Sequence, residues 1–249
     1  MKWASAISAE ESTTKATNAV LDDLEAQLDG TPPDVLFTFP SPAHDHAYEG
    51  LSGMLRARFP QALVFGCTGG GVLGGHQELE RQPALSVTAA ALPGVTIEPF
   101  YLDPAALPTD ADADTWRDAI GVDSEPTPHF ILLPDPFSFP TEAVLRGLDL
   151  AYPGSQKVGG LASGGHVPGS TALLLGDQVY RTGAVALALG GDIRVDTVVA
   201  QGCRPIGAPM FITACRRNLI VELDGQSASS VIYGLYESLG QDDRALFRQ

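Results

Sequence analysis

Apolar residues along this chain fall alternately into short unbroken runs and into sets spaced three or four apart. Short runs bounded by turn residues read as buried strands, and the three-four spacing reads as helices packed on them. Residues 2–8 predict an opening edge strand. Ser8 and Glu11 form a Ser-x-x-Glu capping signature, and Thr17, Val20, Leu21, Leu24 and Leu28 keep helical spacing up to Gly30. These predict a helix over about 9–28, with Asp22, Asp23 and Glu25 on its solvated face. Val35 to Phe39 predicts a buried strand stopped by Pro40-Ser41-Pro42, where Ser41 suits a helix N-cap and Pro42 the first helical position. Tyr48, Leu51, Leu55 and Phe59 mark a second helix ending near Pro60. A strand at Ala62 to Phe65, a glycine-rich loop, and strands at Ala84 to Leu92 and Val95 to Leu102 follow.

Asp103 to Pro128 is rich in Asp and Pro, which is loop chemistry, with a short helix over about 115–120. It predicts the boundary between two halves. Beyond it the order repeats. Phe130 to Leu133 matches Val35 to Phe39, and Pro134-Asp135-Pro136 matches Pro40-Ser41-Pro42. Val144, Leu145, Leu148 and Tyr152 match the Tyr48–Phe59 helix. Six residues after Pro60 stands Gly66, and six after Pro153 stands Gly159. The pattern predicts an α/β fold with mixed sheets, built from two similar β-α-β halves (32–102 and 128–190) in a pseudo-two-fold relation. Strands are expected at 170–175, 179–189 and 193–200. A partial C-terminal α/β segment follows, with a hairpin over Arg216-Arg217-Asn218 and a helix over 227–239. The expected domains are 1–200 and 201–249.

The candidate chemistry sits in two glycine stretches. Gly66-Cys67-Thr68-Gly69-Gly70-Gly71-Val72-Leu73-Gly74-Gly75 holds six glycines in ten residues, which fits neither a helix nor a strand interior. The second stretch is Val158-Gly159-Gly160-Leu161-Ala162-Ser163-Gly164-Gly165-His166. Exposed backbone N–H groups in such loops can cradle an anion, with Thr68 and Ser163 as added hydroxyl donors. The alternative is two tight turns that let strands pass closely. Gly69-x-Gly71-x-x-Gly74 has the letters of a dinucleotide fingerprint, but Pro83 leaves no room for the helix that motif requires, and the loop has no Walker lysine. His166 reads as a ligand or as an exposed turn residue. Cys67 and Cys203 read as small residues in crowded turns, or as thiols that would need a nearby histidine to become nucleophiles. Ser163 is not in a Gly-x-Ser-x-Gly elbow. His44 and His46, two apart, point to different faces of a helix, and Glu222 and Asp224 read as surface residues.

Composition narrows the functions. The chain has 249 residues, 44% of them hydrophobic and 18% charged, with a formal charge of -15. That balance suits a globular protein and disfavours nucleic acid or an acidic membrane as a partner. Three cysteines without CxxC spacing suggest reduced thiols and a cytoplasmic setting. No apolar run approaches the roughly 20 residues of a membrane span, and the N-terminus does not read as a signal peptide.

The two glycine stretches together with Gly202-Cys203-Arg204-Pro205-Ile206-Gly207 and Leu223-Asp224-Gly225-Gln226-Ser227-Ala228 resemble the FIST family of signal-transduction proteins. Its N-terminal domain is similar to residues 32–200, and the later motifs resemble the start of its C-terminal domain, which the resemblance implies is truncated. The resemblance implies a non-enzymatic sensory module for small molecules, with amino acids as the suggested class. Its partner would be a signalling protein such as a histidine kinase. The expected ligand-binding residues are Gly66, Cys67, Thr68, Gly69, Gly70, Gly71, Gly159, Gly160, Ser163, Gly164, Gly165, His166, Cys203 and Arg204, with no cofactor. Two other readings stay open: a haem-binding nitric-oxide sensor, and a hydrolase or transferase using Cys67 or Ser163.

Overall fold

The structure, a computed structural model, describes residues 1–109, 111–199, 204–216 and 219–247. The chain divides into two compact units, Met1–Thr197 and Val198–Gln249.

The first unit opens with β1 (Lys2–Ser8), α1 (Thr13–Leu28) and β2 (Val35–Pro40). The 3-10 turn Pro42–Ala47 leads into α2 (Tyr48–Arg58), followed by β3 (Leu63–Cys67), β4 (Gly71–Gly74), β5 (Gln77–Glu80) and β6 (Leu85–Ala91). β7 (Val95–Leu102), α3 (Ala113–Ile120), β8 (His129–Pro134), α4 (Thr141–Ala151) and β9 (Lys157–Gly159) come next. The unit closes with β10 (Leu173–Leu175), β11 (Gln178–Tyr180) and β12 (Ala184–Gly191).

One sheet runs β1-β6-β2-β3-β10-β11 and the other β7-β12-β8-β9. The first four strands of the one and all four of the other share the same order and the same senses. The outer pairs β1/β6 and β7/β12 are antiparallel, as are β6/β2 and β12/β8, while β2/β3 and β8/β9 are parallel. The sheets therefore divide after Leu92, not at 103–128. β7, which the sequence reading placed in the first half, is the edge of the second sheet beside β12. The β10–β11 hairpin crosses back to the first sheet, pairing Leu173, Leu174 and Leu175 with Cys67, Gly66 and Phe65. The strand expected over 193–200 does not form over 193–199, and residue 200 lies outside the described residues.

Strand alternation builds three cores. Val20, Leu24 and Leu28 of α1 and Leu51 and Leu55 of α2 cover one face of the first sheet through Leu36, Val64 and Leu85. Trp116, Val144 and Leu148 of α3 and α4 cover the second sheet through Phe130, Leu132 and Ala186. The opposite faces meet through Phe65, Ala90, Leu173, Leu133, Val185 and Leu187. The result is a helix-sheet-sheet-helix stack, with each buried aliphatic contributing about 1.5–3 kcal/mol relative to exposure.

One predicted cap is replaced, and the other holds by position alone. α1 is capped by Ser12, whose Oγ accepts from Lys15 N–H, and Ser8 lies outside the helix, taking the Glu10 N–H instead. Ser41 stands at the N-cap position of the 3-10 turn, with Pro42 at its start, but the Ser41 side chain makes no cap bond. Its Oγ accepts the Ala84 N–H at 2.9 Å and ties the end of β2 to the start of β6.

The second unit contains β13 (Ile212–Arg216), β14 (Leu219–Leu223) and β15 (Gln226–Ser227) as an antiparallel sheet, then α5 (Ala228–Ser238) and α6 (Gln241–Phe247). Ser227 caps α5 by accepting the Ser230 N–H. None of its described residues is buried.

Candidate functional site

β2 and β3 run parallel and end side by side, so the segments that follow them, Ser41–Ala43 and Thr68–Gly71, emerge at the same edge of the first sheet. The second glycine loop meets them there. Ser163 N–H donates to the Thr68 carbonyl at 2.9 Å, and Gly70 N–H donates to Ser163 Oγ at 3.0 Å. Gly70 and Gly164 touch: a Cβ on Gly70 would lie 3.2 Å from the Gly164 nitrogen, and one on Gly164 would lie 2.6 Å from Pro42 Cγ. The two loops therefore pack backbone on backbone, which only residues without a side chain permit here.

At this junction lies an open cleft of about 660 Å³, lined by Ser41, Pro42, Ala43, Gly70, Arg81, Gln82, Pro83, Gly164 and His166. It sits at the carboxyl ends of parallel strands, the edge where α/β sheets commonly bind ligands. Arg81 and His166 are its ionisable lining residues. The amides of Gly164, Gly165 and His166 make no hydrogen bond among the described residues, and Gly164 has a left-handed φ of +84°. Such an arrangement offers N–H donors to an anion.

The wall at Ser41–Ala43 is held from behind. Tyr48 Oη donates to the Ser41 carbonyl at 2.9 Å, and burial pushes the Tyr48 hydroxyl well above its usual range, so it stays protonated. Arg181 lies over the Tyr48 ring and pairs with Asp45 at 2.9 Å. His44 is fully buried, with Nδ1 2.9 Å from Thr13 Oγ1 and Nε2 without a partner. Burial and the neighbouring His46 hold its pKa below the usual histidine value.

Several residues expected in the site serve the fold. Thr68 is buried; its N–H donates to the Ala172 carbonyl and its Oγ1 accepts the Ala172 N–H, locking the first loop to the start of β10. Gly69 N–H donates to the Pro40 carbonyl, and a side chain on Gly71 would press on Glu80. Gly66 and Gly159 occupy matching places in β3 and β9, where a Cβ would collide with the carbonyls of Thr38 and Leu132. Cys67 is buried, and desolvation pushes its thiol up to about 12. Gly159 and Gly160 line a separate groove beside β9 with Leu161, and Gly165 packs against Ser170. Arg204 belongs to the second unit and pairs with Asp243. Cys203 lies outside the described residues.

The cleft residue that the sequence reading passed over is Arg81. Its signal was charge: it is the one Lys or Arg between Arg58 and Arg117, and it follows the hairpin that leaves the first glycine loop. Its φ of +54° is left-handed, an uncommon conformation for a residue with a side chain.

Comparison with known families fits this arrangement. Residues 34–226, which include both glycine loops and Arg81, match the FIST N domain. The chain belongs to the FIST family. FIST domains are sensory domains of signal transduction. Relatives of this FIST chain include an uncharacterised protein of Mycobacterium bovis, 35% identical over 221 residues, a match covering 88% of this chain and 55% of that protein. An uncharacterised protein of Mycobacterium tuberculosis is 32% identical over 222 residues, covering 88% of this chain and 56% of that one. The chain thus spans about half the length of the curated relatives it matches. No helix among the described residues is long and apolar enough to cross a membrane.

Proposed function

We propose that this FIST domain binds a small carboxylate-bearing molecule, of the size of an amino acid, in the cleft where its two glycine loops meet, and that it does so as a sensor and not as an enzyme. The observation that carries the reading is the shared cleft itself, since Gly70 of one loop and Gly164 of the other touch at its floor and Arg81 and His166 stand on its walls. In a chain of net charge -15, a recess lined by a guanidinium and an imidazole is a local site for negative charge.

The chemistry of the neighbours supports binding over catalysis. A thiol raised to about 12 is not a thiolate at neutral pH. Ser163 Oγ accepts a hydrogen bond from Gly70, so its hydroxyl ties the loops together. Ser41, Arg81, Gln82 and His166 give the cleft polar side chains for a small carboxylate.

The test is calorimetric titration with a panel of free amino acids and related carboxylates. Arg81→Gln removes a charge-assisted hydrogen bond, worth about 1.5–3 kcal/mol, and should weaken the bound member of the panel about tenfold or more. Gly70→Val should fill the loop junction and abolish binding, while thermal melts report whether the domain stays folded. Unchanged affinity in both folded variants would remove the cleft from consideration. A Soret band in the purified protein would favour a haem instead.

A further inference from the structure

The repeat in strand order leaves one asymmetry, and it falls on a sheet edge. In the first sheet β3 has β2 on one side and β10 on the other. The Gly176 N–H donates to the Val64 carbonyl, Gly66 pairs with Leu174, and the Thr68 N–H donates to the Ala172 carbonyl. An antiparallel strand of three leucines, continued by Ala172 and Gly176 at its ends, thus covers that edge.

β9 is the counterpart of β3 in the second sheet, and it is the last strand there. Phe130 N–H donates to the Gln156 carbonyl and Gly160 N–H to the Leu132 carbonyl. This phase turns residues 156, 158 and 160 toward β8 and sends the backbone groups of Lys157, Gly159 and Leu161 outward. These are the counterparts of Val64, Gly66 and Thr68. No strand of this chain pairs with them among the described residues.

Beside this edge runs a groove of about 200 Å³ whose walls include Leu132, Leu145, Val158 and Leu161. Leu145 is 36% exposed and Leu161 is 55% exposed. The Lys157 ammonium, which could guard an edge, is drawn back onto Asp149 at 2.8 Å and the Tyr152 carbonyl at 3.2 Å. The contrast with β1 is direct. There Gln27 accepts the Ser5 N–H at 3.1 Å and donates to the Ser5 carbonyl at 3.0 Å, closing that edge with its own amide.

We propose that the β9 edge is a strand-addition site for a partner polypeptide. The partner contributes an extended, antiparallel segment with aliphatic side chains and no acidic residue. Sense and aliphatic character follow from the segment that fills the same position on β3. The absence of acid follows from the charge of -15 on this chain, which also disfavours a second copy as the occupant. Main-chain hydrogen bonds would supply affinity and the groove would supply selectivity. This site goes beyond ligand binding at the loop cleft and uses different residues.

The probe is a fluorescent peptide copying residues 171–176 between two lysines, titrated by anisotropy into the full chain. Binding is expected, and the same peptide carrying Leu174→Pro, which cannot complete the ladder, should bind about tenfold more weakly or not at all. Leu161→Asp and Leu145→Asp alter exposed side chains and should each weaken the parent peptide about fivefold or more. Hydrogen exchange should slow at the amides of Lys157, Gly159 and Leu161 when the peptide is bound. No binding at about millimolar peptide, the weak end of specific recognition, would overturn the proposal. So would affinity indifferent to both aspartate variants, or a dimer in light scattering whose β9 amides are already protected without peptide.

Discussion

Cys67 lies at the end of β3 in the core between the two sheets, where desolvation holds its thiol protonated. Cys215 is exposed on β13. Iodoacetamide at pH 8 is therefore expected to alkylate Cys215 and leave Cys67 unmodified until the protein is unfolded; peptide mapping by mass spectrometry reads the difference. Rapid labelling of Cys67 in the folded chain would contradict its burial and reopen the nucleophile reading. His44 gives the residue-scale pH prediction. Its folded pKa is lowered, so below the ordinary value of about 6.5 the unfolded chain takes up a proton that the native imidazole refuses. The stability it contributes is complete above that value and declines as pH falls toward the folded pKa. Urea midpoints measured from pH 7.5 to 5 should fall, and His44→Asn should flatten the fall by up to one proton's worth. Neither fate was legible in the sequence, because spacing tells which side of a helix a histidine occupies but not whether a second helix, here α1 with Thr13, closes over it.

Among the secondary-structure elements, the repeated pattern of proline, helix, proline and glycine was legible because its causes are local. Gly66 and Gly159 each follow their proline by the same interval because each must let a neighbouring carbonyl pass where a side chain would sit. Gly66→Ala and Gly159→Ala are accordingly expected to lower stability by about 1–3 kcal/mol or more through overpacking, seen as a fall in Tm of several degrees. Gly160→Ala, with open space around it, should be close to neutral. Equal melting of the three variants would show that the parallel strands have room to spare. The placement of β7 and of the β10–β11 hairpin was not legible. Both pair across long sequence separations, and an apolar run carries no mark of the sheet it will join. The same limit hid the cleft. Glycine runs announced two loops, but only the crossing hairpin brings the second loop against the first, and Arg81 matters only because of where that meeting occurs.

For the whole molecule, charge is divided unevenly. The second unit carries five arginines and five carboxylates, so the entire net charge of -15 resides in the first. A fragment covering 1–197 should therefore elute from an anion exchanger at least as late as the full chain, and earlier elution would mean that the first unit's carboxylates are masked. The crossing hairpin has a consequence in time as well as in space. Leu173 to Leu175 close the edge of β3 from more than a hundred residues downstream. As the chain leaves the ribosome, the first helix and four strands of the opening sheet are available early, yet that sheet stays unfinished until Tyr180 has emerged. Contacts of such long sequence separation form slowly, and in the interval the Phe65–Cys67 edge is bare. A nascent chain halted before Leu173 has emerged should be open to protease at that edge, and one halted after Tyr180 has cleared the ribosome should resist it; early and complete resistance would mean that the opening sheet closes without help from the second.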